Sequence, residues 1–272
     1  MMKKKMLMAL AALLVLLSAC ACAQELRVDF YDMGKADSML ITTPSGQRIL
    51  IDTGTNKGGK ALVSRFKKEK IKHIDVMIIT HYDKDHVGGA DKVLEDIEIG
   101  MVYMPIYDKE SKQYEQFAEA LEEAGTKTTR MEIGSETSFE TGDGVSLHIT
   151  AAHEHFYGRD EENDFSLAVR MTYGETKFFF AGDAEDPRQR ELLEEGGVDC
   201  DVLKVPYHGR LVNASEAFLK EASPQIAFIP DSDEEPASAV VVGILEEIGA
   251  QVYRAKDGGI AVASDGKTVK VL

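Results

Sequence analysis

The residues with the most chemistry in the shortest span are Thr80-His81-Tyr82-Asp83-Lys84-Asp85-His86-Val87-Gly88-Gly89, which follow the apolar run Val76-Met77-Ile78-Ile79. Two imidazoles and two carboxylates from one strand-to-helix turn suit zinc, manganese or iron rather than calcium or a thiolate-seeking metal. A lone histidine pair would read as structural, but H-x-D-x-D-H followed by a glycine pair resists that explanation. Two later stretches repeat the scheme. Phe178-Phe179-Phe180-Ala181-Gly182-Asp183 ends a very apolar strand in a carboxylate, and Leu203-Lys204-Val205-Pro206-Tyr207-His208-Gly209 ends another in an imidazole. Alone, Asp183 reads equally well as a helix cap ahead of Pro187, and His208 as a turn histidine. Three strand ends carrying metal-compatible side chains are better explained together.

Elements must bring these ends to one edge. Short strand-like runs cover 26–31, 38–42 and 47–51, with the turn residues Pro44-Ser45-Gly46 between the last two. Helical spacing over 59–70 precedes a strand at 75–79, the His/Asp turn, a short helix at 90–95 and a strand at 101–104. A helix at 111–124 follows, then strands at 127–131, 145–150, 165–172 and 177–181. The last third alternates helices at 187–195, 214–222 and 237–248 with strands at 202–205, 225–229, 251–253, 259–263 and 268–271. Two strand-rich halves with helices outside predict a layered α/β sandwich.

Lys3-Lys4-Lys5, the apolar run Met6 to Leu17 and the small residues Ser18 to Ala23 read as a secretory signal over 1–23. Leu17-Ser18-Ala19-Cys20 resembles a bacterial lipobox, which would make Cys20 a lipidated residue and hold the protein on the outer face of a membrane. Cleavage after Ala23 and secretion is the rival. Residues 24–272 then form one domain, long enough for a full core. The formal charge is −16, or −19 without those three lysines. Such a chain repels polyanions at long range, so a nucleic-acid ligand needs a local basic groove or metal ions. Only Cys200 lies outside the signal region, which leaves no disulfide framework.

Leu50-Ile51-Asp52-Thr53-Gly54, the His81–His86 motif, Gly182-Asp183 and His208 resemble the metallo-β-lactamase superfamily. Phe30-Tyr31-Asp32-Met33-Gly34-Lys35-Ala36-Asp37-Ser38, Asn163-Asp164-Phe165-Ser166-Leu167 and Val202 to Gly209 resemble, more narrowly, the extracytoplasmic hydrolase domain of DNA-internalisation competence proteins. The resemblance runs in order from about Arg27 to the C-terminus, and no run matches the polytopic membrane part of those proteins.

What the resemblance implies is an α/β protein, a four-layer αβ/βα sandwich with two divalent metal ions, zinc or manganese, at one sheet edge. His81 and Asp83 would serve one ion, with His153 completing its set and His155 as rival. Asp85, His86 and His208 would serve the other, and Asp183 would bridge them. Asp85 would also be the catalytic group, holding a metal-bound water or taking its proton as the water is activated near neutral pH. Asp37 and Asp52 fit the role of orienting ligands, and Asn163 and Ser166 the rim where substrate oxygens sit. The expected activity is hydrolysis of a phosphodiester, in nucleic acid or a smaller ester. Two departures weigh against a nuclease: Tyr207 stands where those domains carry a first histidine, and Asp233-Glu234-Glu235-Pro236 stands where they carry a Gly-His-Pro turn. A lipid-tethered binding module with a degenerate metal site, or an accessory factor in DNA uptake, is the alternative.

Overall fold

The computed structural model describes residues 25–157 and 161–272. The signal reading and Cys20 lie outside the described residues. Fifteen strands and six α-helices are described, in two sheets. In the first, β1 (Leu26–Phe30), β2 (Met39–Thr42), β3 (Arg48–Ile51), β4 (His73–Ile78), β5 (Glu98–Pro105) and β6 (Lys127–Met131) run in sequence order. β14 (Ile260–Ser264) and β15 (Val269–Val271) extend it beyond β1. In the second, β13 (Gln251–Arg254), β12 (Ile226–Ile229), β11 (Val202–Lys204), β10 (Thr176–Phe180), β9 (Ala168–Tyr173), β8 (Val145–Thr150) and β7 (Glu136–Glu140) follow one another.

The side chains sort into three apolar layers, and this sorting explains the sequence. The end of β10, Phe178–Phe180, is buried on both faces, so its run is continuously apolar rather than alternating. Phe178 and Phe180 enter the core between the sheets, and Phe179 enters the core against the outer helices. Burying each ring contributes roughly 1.5–3 kcal/mol. Leu50, Met77 and Ile79 pack with Leu62, Phe66, Val93 and Phe117 of α1 (Asn56–Lys68), α2 (Ala90–Asp96) and α3 (Lys112–Ala124). Leu192, Phe218 and Leu245 of α4 (Asp186–Glu195), α5 (Ser215–Ala222) and α6 (Ala239–Glu247) cover the other sheet. The layer order is helix, sheet, sheet, helix, the expected four-layer α/β sandwich.

Three local differences from the sequence reading have physical reasons. α1 begins at Asn56 because Thr55 caps it, its hydroxyl accepting the Gly58 N–H at 3.1 Å. Glycine in that first turn is required by a close approach: a Cβ on Gly59 would lie 2.4 Å from the Cα of Gly89. β9 starts only at Ala168, since Glu161–Phe165 is a 3₁₀ turn and the Leu167 N–H donates to the Thr80 carbonyl at 2.9 Å. β7 was not anticipated; its run ETSFE keeps only Phe139 packed on the core.

Candidate metal centre

β3 pairs parallel with β4, and β10 with β11, so the carboxyl ends of all four strands collect at one edge. Ligands characteristically bind outside such ends. Beyond β3 comes Asp52, beyond β4 the His/Asp turn, beyond β10 Gly182-Asp183, and beyond β11 the turn that carries His208. Asp52, Tyr207 and His208 adopt left-handed φ values of 55°, 51° and 50°. Non-glycine residues reach that region at a cost and cluster at functional sites. Gly182 is also left-handed, and a Cβ there would come within 2.7 Å of the Ser166 side chain.

Asp52 and Thr80 set the first imidazole. The Thr80 N–H and hydroxyl donate to the two Asp52 oxygens at 2.8 and 2.7 Å, and His86 Nδ1 lies 2.8 Å from Asp52 Oδ2. His86 Nε2 therefore faces Asp183 Oδ2, at 3.4 Å. His208 Nδ1 donates to the Pro230 carbonyl at 2.9 Å, which leaves Nε2 2.7 Å from Asp183 Oδ2 and 3.4 Å from Asp85 Oδ2. His81 stacks near His86 with ring centroids 4.0 Å apart, and its Nε2 is 3.9 Å from Asp83 Oδ2. All three Nε2 atoms are buried; His81 Nε2 has no hydrogen-bond partner, and those of His86 and His208 face only carboxylate oxygens. Atoms of Asp37, His86, Asp183 and His208 lie within 4.8 Å of one another. Imidazole lone pairs converging with carboxylate oxygens are the donor set of a borderline divalent cation, and Asp52 and the Pro230 carbonyl orient the rings as outer partners of metal-bound histidines do. The residues fit the metal that the sequence implies.

The field tells the same story. Burial pushes His81 down to about 4, and His86 adds to the effect. Burial also opposes charge on His86 and His208, but the carboxylates outweigh it: Asp183, Asp37 and Asp52 at His86, and Asp183, Asp85 and Asp37 at His208. Both imidazoles are raised. Burial likewise works against ionised Asp183 and Asp85, yet His208 and His86 hold both carboxylates below their usual range. The cluster demands positive charge, and a divalent cation meets that demand with neutral imidazoles.

Lys204 is part of this cluster and was not singled out as a site residue from the sequence. It is fully buried, with Nζ 2.6 Å from the Gly182 carbonyl, 3.1 Å from Asp183 Oδ1 and 2.5 Å from Asp37 Oδ2. Its signal was a lysine inside the apolar run Val202-Leu203-Lys204-Val205, where a charge needs a buried partner. Thr80, Lys35 and Lys109 were missed as well. Lys35 Nζ sits 3.1 Å from Asp85 Oδ2, and Lys109 bridges Asp83 and Glu162.

The other expected residues separate. Asp37 stands inside the compact group rather than behind it. Ser166 lies under the cluster: its hydroxyl accepts the Asp183 N–H at 3.0 Å and is 3.4 Å from His81 Nδ1. The Asn163 amide donates to Glu185 at 2.7 Å. His153 is not brought to the cluster. It is exposed, with Nε2 3.1 Å from Glu195, while its backbone N–H meets Tyr157 and Glu191. His155 is exposed too, and His148 is a β8 residue whose Nδ1 lies 2.8 Å from the Ser138 hydroxyl.

The metallo-β-lactamase superfamily profile matches residues 31–230. The chain is 26% identical over 225 residues to ComE operon protein 3 of Bacillus subtilis, covering 76% of this chain and 28% of that protein. Recombination protein 2 of Haemophilus influenzae is 24% identical over 82% of this chain and 26% of its own length. Competence protein ComA of Neisseria gonorrhoeae is 24% identical over 75% and 26%. The chain thus spans under a third of the length of these relatives. Among solved structures, CmlA, a diiron β-hydroxylase from Streptomyces venezuelae, superposes with a TM-score of 0.53 at 14% identity, over 86% of this chain and 53% of that one. A long form RNase Z from yeast gives 0.53 at 12%, over 89% and 42%. These likenesses show the fold. With the profile spanning the strand ends that carry Asp52, His81, His86, Asp183 and His208, the chain belongs to the metallo-β-lactamase superfamily.

Proposed function

We propose that this protein is an extracytoplasmic metal-dependent hydrolase of phosphodiester type, using two divalent ions, zinc or manganese. The observation that carries the reading is the convergence of the buried His86 and His208 Nε2 atoms on Asp183 Oδ2, with His81 Nε2 buried beside them and without a hydrogen-bond partner. His86, His208 and Asp183 would hold one ion together with Asp85, and His81 and Asp83 would serve the other with Asp183 between them. Bound metal supplies Lewis acidity and a nucleophile at neutral pH. Asp52 and the Pro230 carbonyl keep two imidazoles aimed. Lys204 engages Asp183 Oδ1 and so leaves Oδ2 for the centre. Asp85, at 3.4 Å from His208 Nε2, is the carboxylate available to accept a proton. The Lys3-to-Ala23 signal reading supports an extracytoplasmic place, with Cys20 as a lipid anchor to the membrane surface. The competence-protein relatives support a substrate in nucleic acid or a smaller phosphate ester.

A lipid-tethered binding module is the second reading. It is favoured by one observation: Lys35, Lys109 and Lys204 balance Asp85, Asp83 and Asp183 with the chain's own charge. Turnover of bis-p-nitrophenyl phosphate, single-stranded DNA and a β-lactam, each with Mn and Zn, separates the two. The enzyme reading expects phosphodiester turnover that Asp85→Asn lowers at least a hundredfold. A metal-loaded, folded protein with no turnover of any of them would favour the binding module.

A further inference from the structure

Beside the buried cluster lies a cavity of about 540 Å³, with Lys35, Lys84 and Lys109 in its walls next to Asp83 and Asp85. Its size is that of a small-ligand site. Three ammonium groups at one cavity stand out in a chain of net charge −16. The Lys35 and Lys109 side chains keep only 20% and 18% of their exposure, so both are partly dehydrated. Each is paired with a carboxylate of the metal turn: Lys35 with Asp85 at 3.1 Å, and Lys109 with Asp83 as well as with Glu162 outside the turn.

We propose that Lys35 and Lys109 form a metal-linked anion clamp. They balance Asp85 and Asp83 in the metal-free chain and receive the oxygens of a single phosphate group once metal ions engage those carboxylates. The inference rests on the metal-centre reading. A divalent cation at Asp83 and Asp85 cancels those carboxylates' hold on the ammoniums, leaving Lys109 only the part-exposed Glu162, and partial dehydration strengthens the ammoniums' pull on a further anion. A lysine stem is flexible enough to make the exchange without moving the backbone. Thr55, Ser111 and Gln113 line the same cavity and offer neutral hydrogen bonds. Glu235 stands in the same wall, 3.9 Å from Lys35 and 2.7 Å from Arg210, and repels further anionic groups. The clamp therefore selects a compact phosphate ester over a neutral ester and over a long polyanionic strand.

Calorimetric titration of the full chain with inorganic phosphate, with and without saturating Mn, tests this. Metal-loaded wild type should bind phosphate at least tenfold more tightly than the metal-free chain. The double variant Lys35→Met, Lys109→Met should lose about tenfold of that affinity, and Lys35→Arg, Lys109→Arg should recover it. Metal affinity of the Met variant, measured by competition with a chromophoric chelator, should equal or exceed wild type, because two competing cations are gone. Unchanged phosphate affinity in a folded, metal-loaded Met variant overturns the clamp alone. Weaker metal binding in that variant also overturns it, because the lysines would then be supports. A folded wild-type chain that takes up no metal overturns the metal centre, and the clamp falls with it.

Discussion

The inner and outer carboxylates of this site are held in different ways. Asp52, Asp37 and Asp183 are 0%, 0% and 3% exposed, and each meets fixed partners: Thr80 and His86 for Asp52, Lys204 for Asp37, and Lys204, His86 and His208 for Asp183. Asp83 and Asp85 project from the turn itself toward the cavity, each against a long lysine stem, with His208 Nε2 3.4 Å from Asp85 on its inner side. The inner group is positioned by the fold and costs stability when broken. The outer group rests against flexible lysine stems, an arrangement that the proposed uptake of ions and substrate would use.

The widest gap between the groups should appear at Asp183. Asp183→Asn keeps the shape but removes the shared charge, and metal affinity measured by chelator competition should drop on the order of 100-fold or more, beyond the 10–100-fold expected for an orienting partner. A drop no larger than for Asp85→Asn would erase the distinction. Lys204→Met leaves two buried carboxylates without their cation and should cost about 3–5 kcal/mol in urea unfolding of the metal-free protein. Asp52→Asn should weaken metal binding 10–100-fold by freeing the His86 ring. Lys109→Met, at the partly exposed Asp83 pair, should change unfolding free energy by at most about 1 kcal/mol.

Acidity sharpens the contrast further. His86 and His208 are raised by the inner carboxylates. Their contribution to metal-free stability is fully present below the ordinary imidazole value of about 6.5 and is lost as pH rises through the raised values. Metal affinity runs the opposite way, because both rings must lose protons to bind an ion. Loading at pH 7 should therefore release protons, measurable as a dependence of the binding heat on the buffer's ionisation enthalpy. An identical heat in all buffers would break this part of the account.

Much of the inner group was legible because chemistry and burial pull in opposite directions there. A carboxylate or imidazole at the end of a run such as Phe178-Phe179-Phe180 or Val76-Met77-Ile78-Ile79 has no packing reason to exist. Lys204 was harder to read, since an isolated lysine ordinarily marks a solvated face; only the parallel pairing of β10 and β11 sets it beside Asp183. His153 had the right type and a strand-end position, but Glu195 and the Tyr157 region draw it outward. β7 was invisible because its polar run ETSFE buries little and depends on pairing with β8. The four-layer architecture came through resemblance, while strand order, register and the lysine pairings depend on contacts distant in sequence.

The proposed two-ion metal centre at this strand-end cluster can be counted directly. The folded, metal-stripped protein is titrated with Mn or Zn at neutral pH, and bound metal is counted per chain by mass spectrometry. Two equivalents are expected, with both lost or severely weakened in Asp183→Asn. Saturation with no bound metal, or metal uptake indifferent to Asp183, would contradict it.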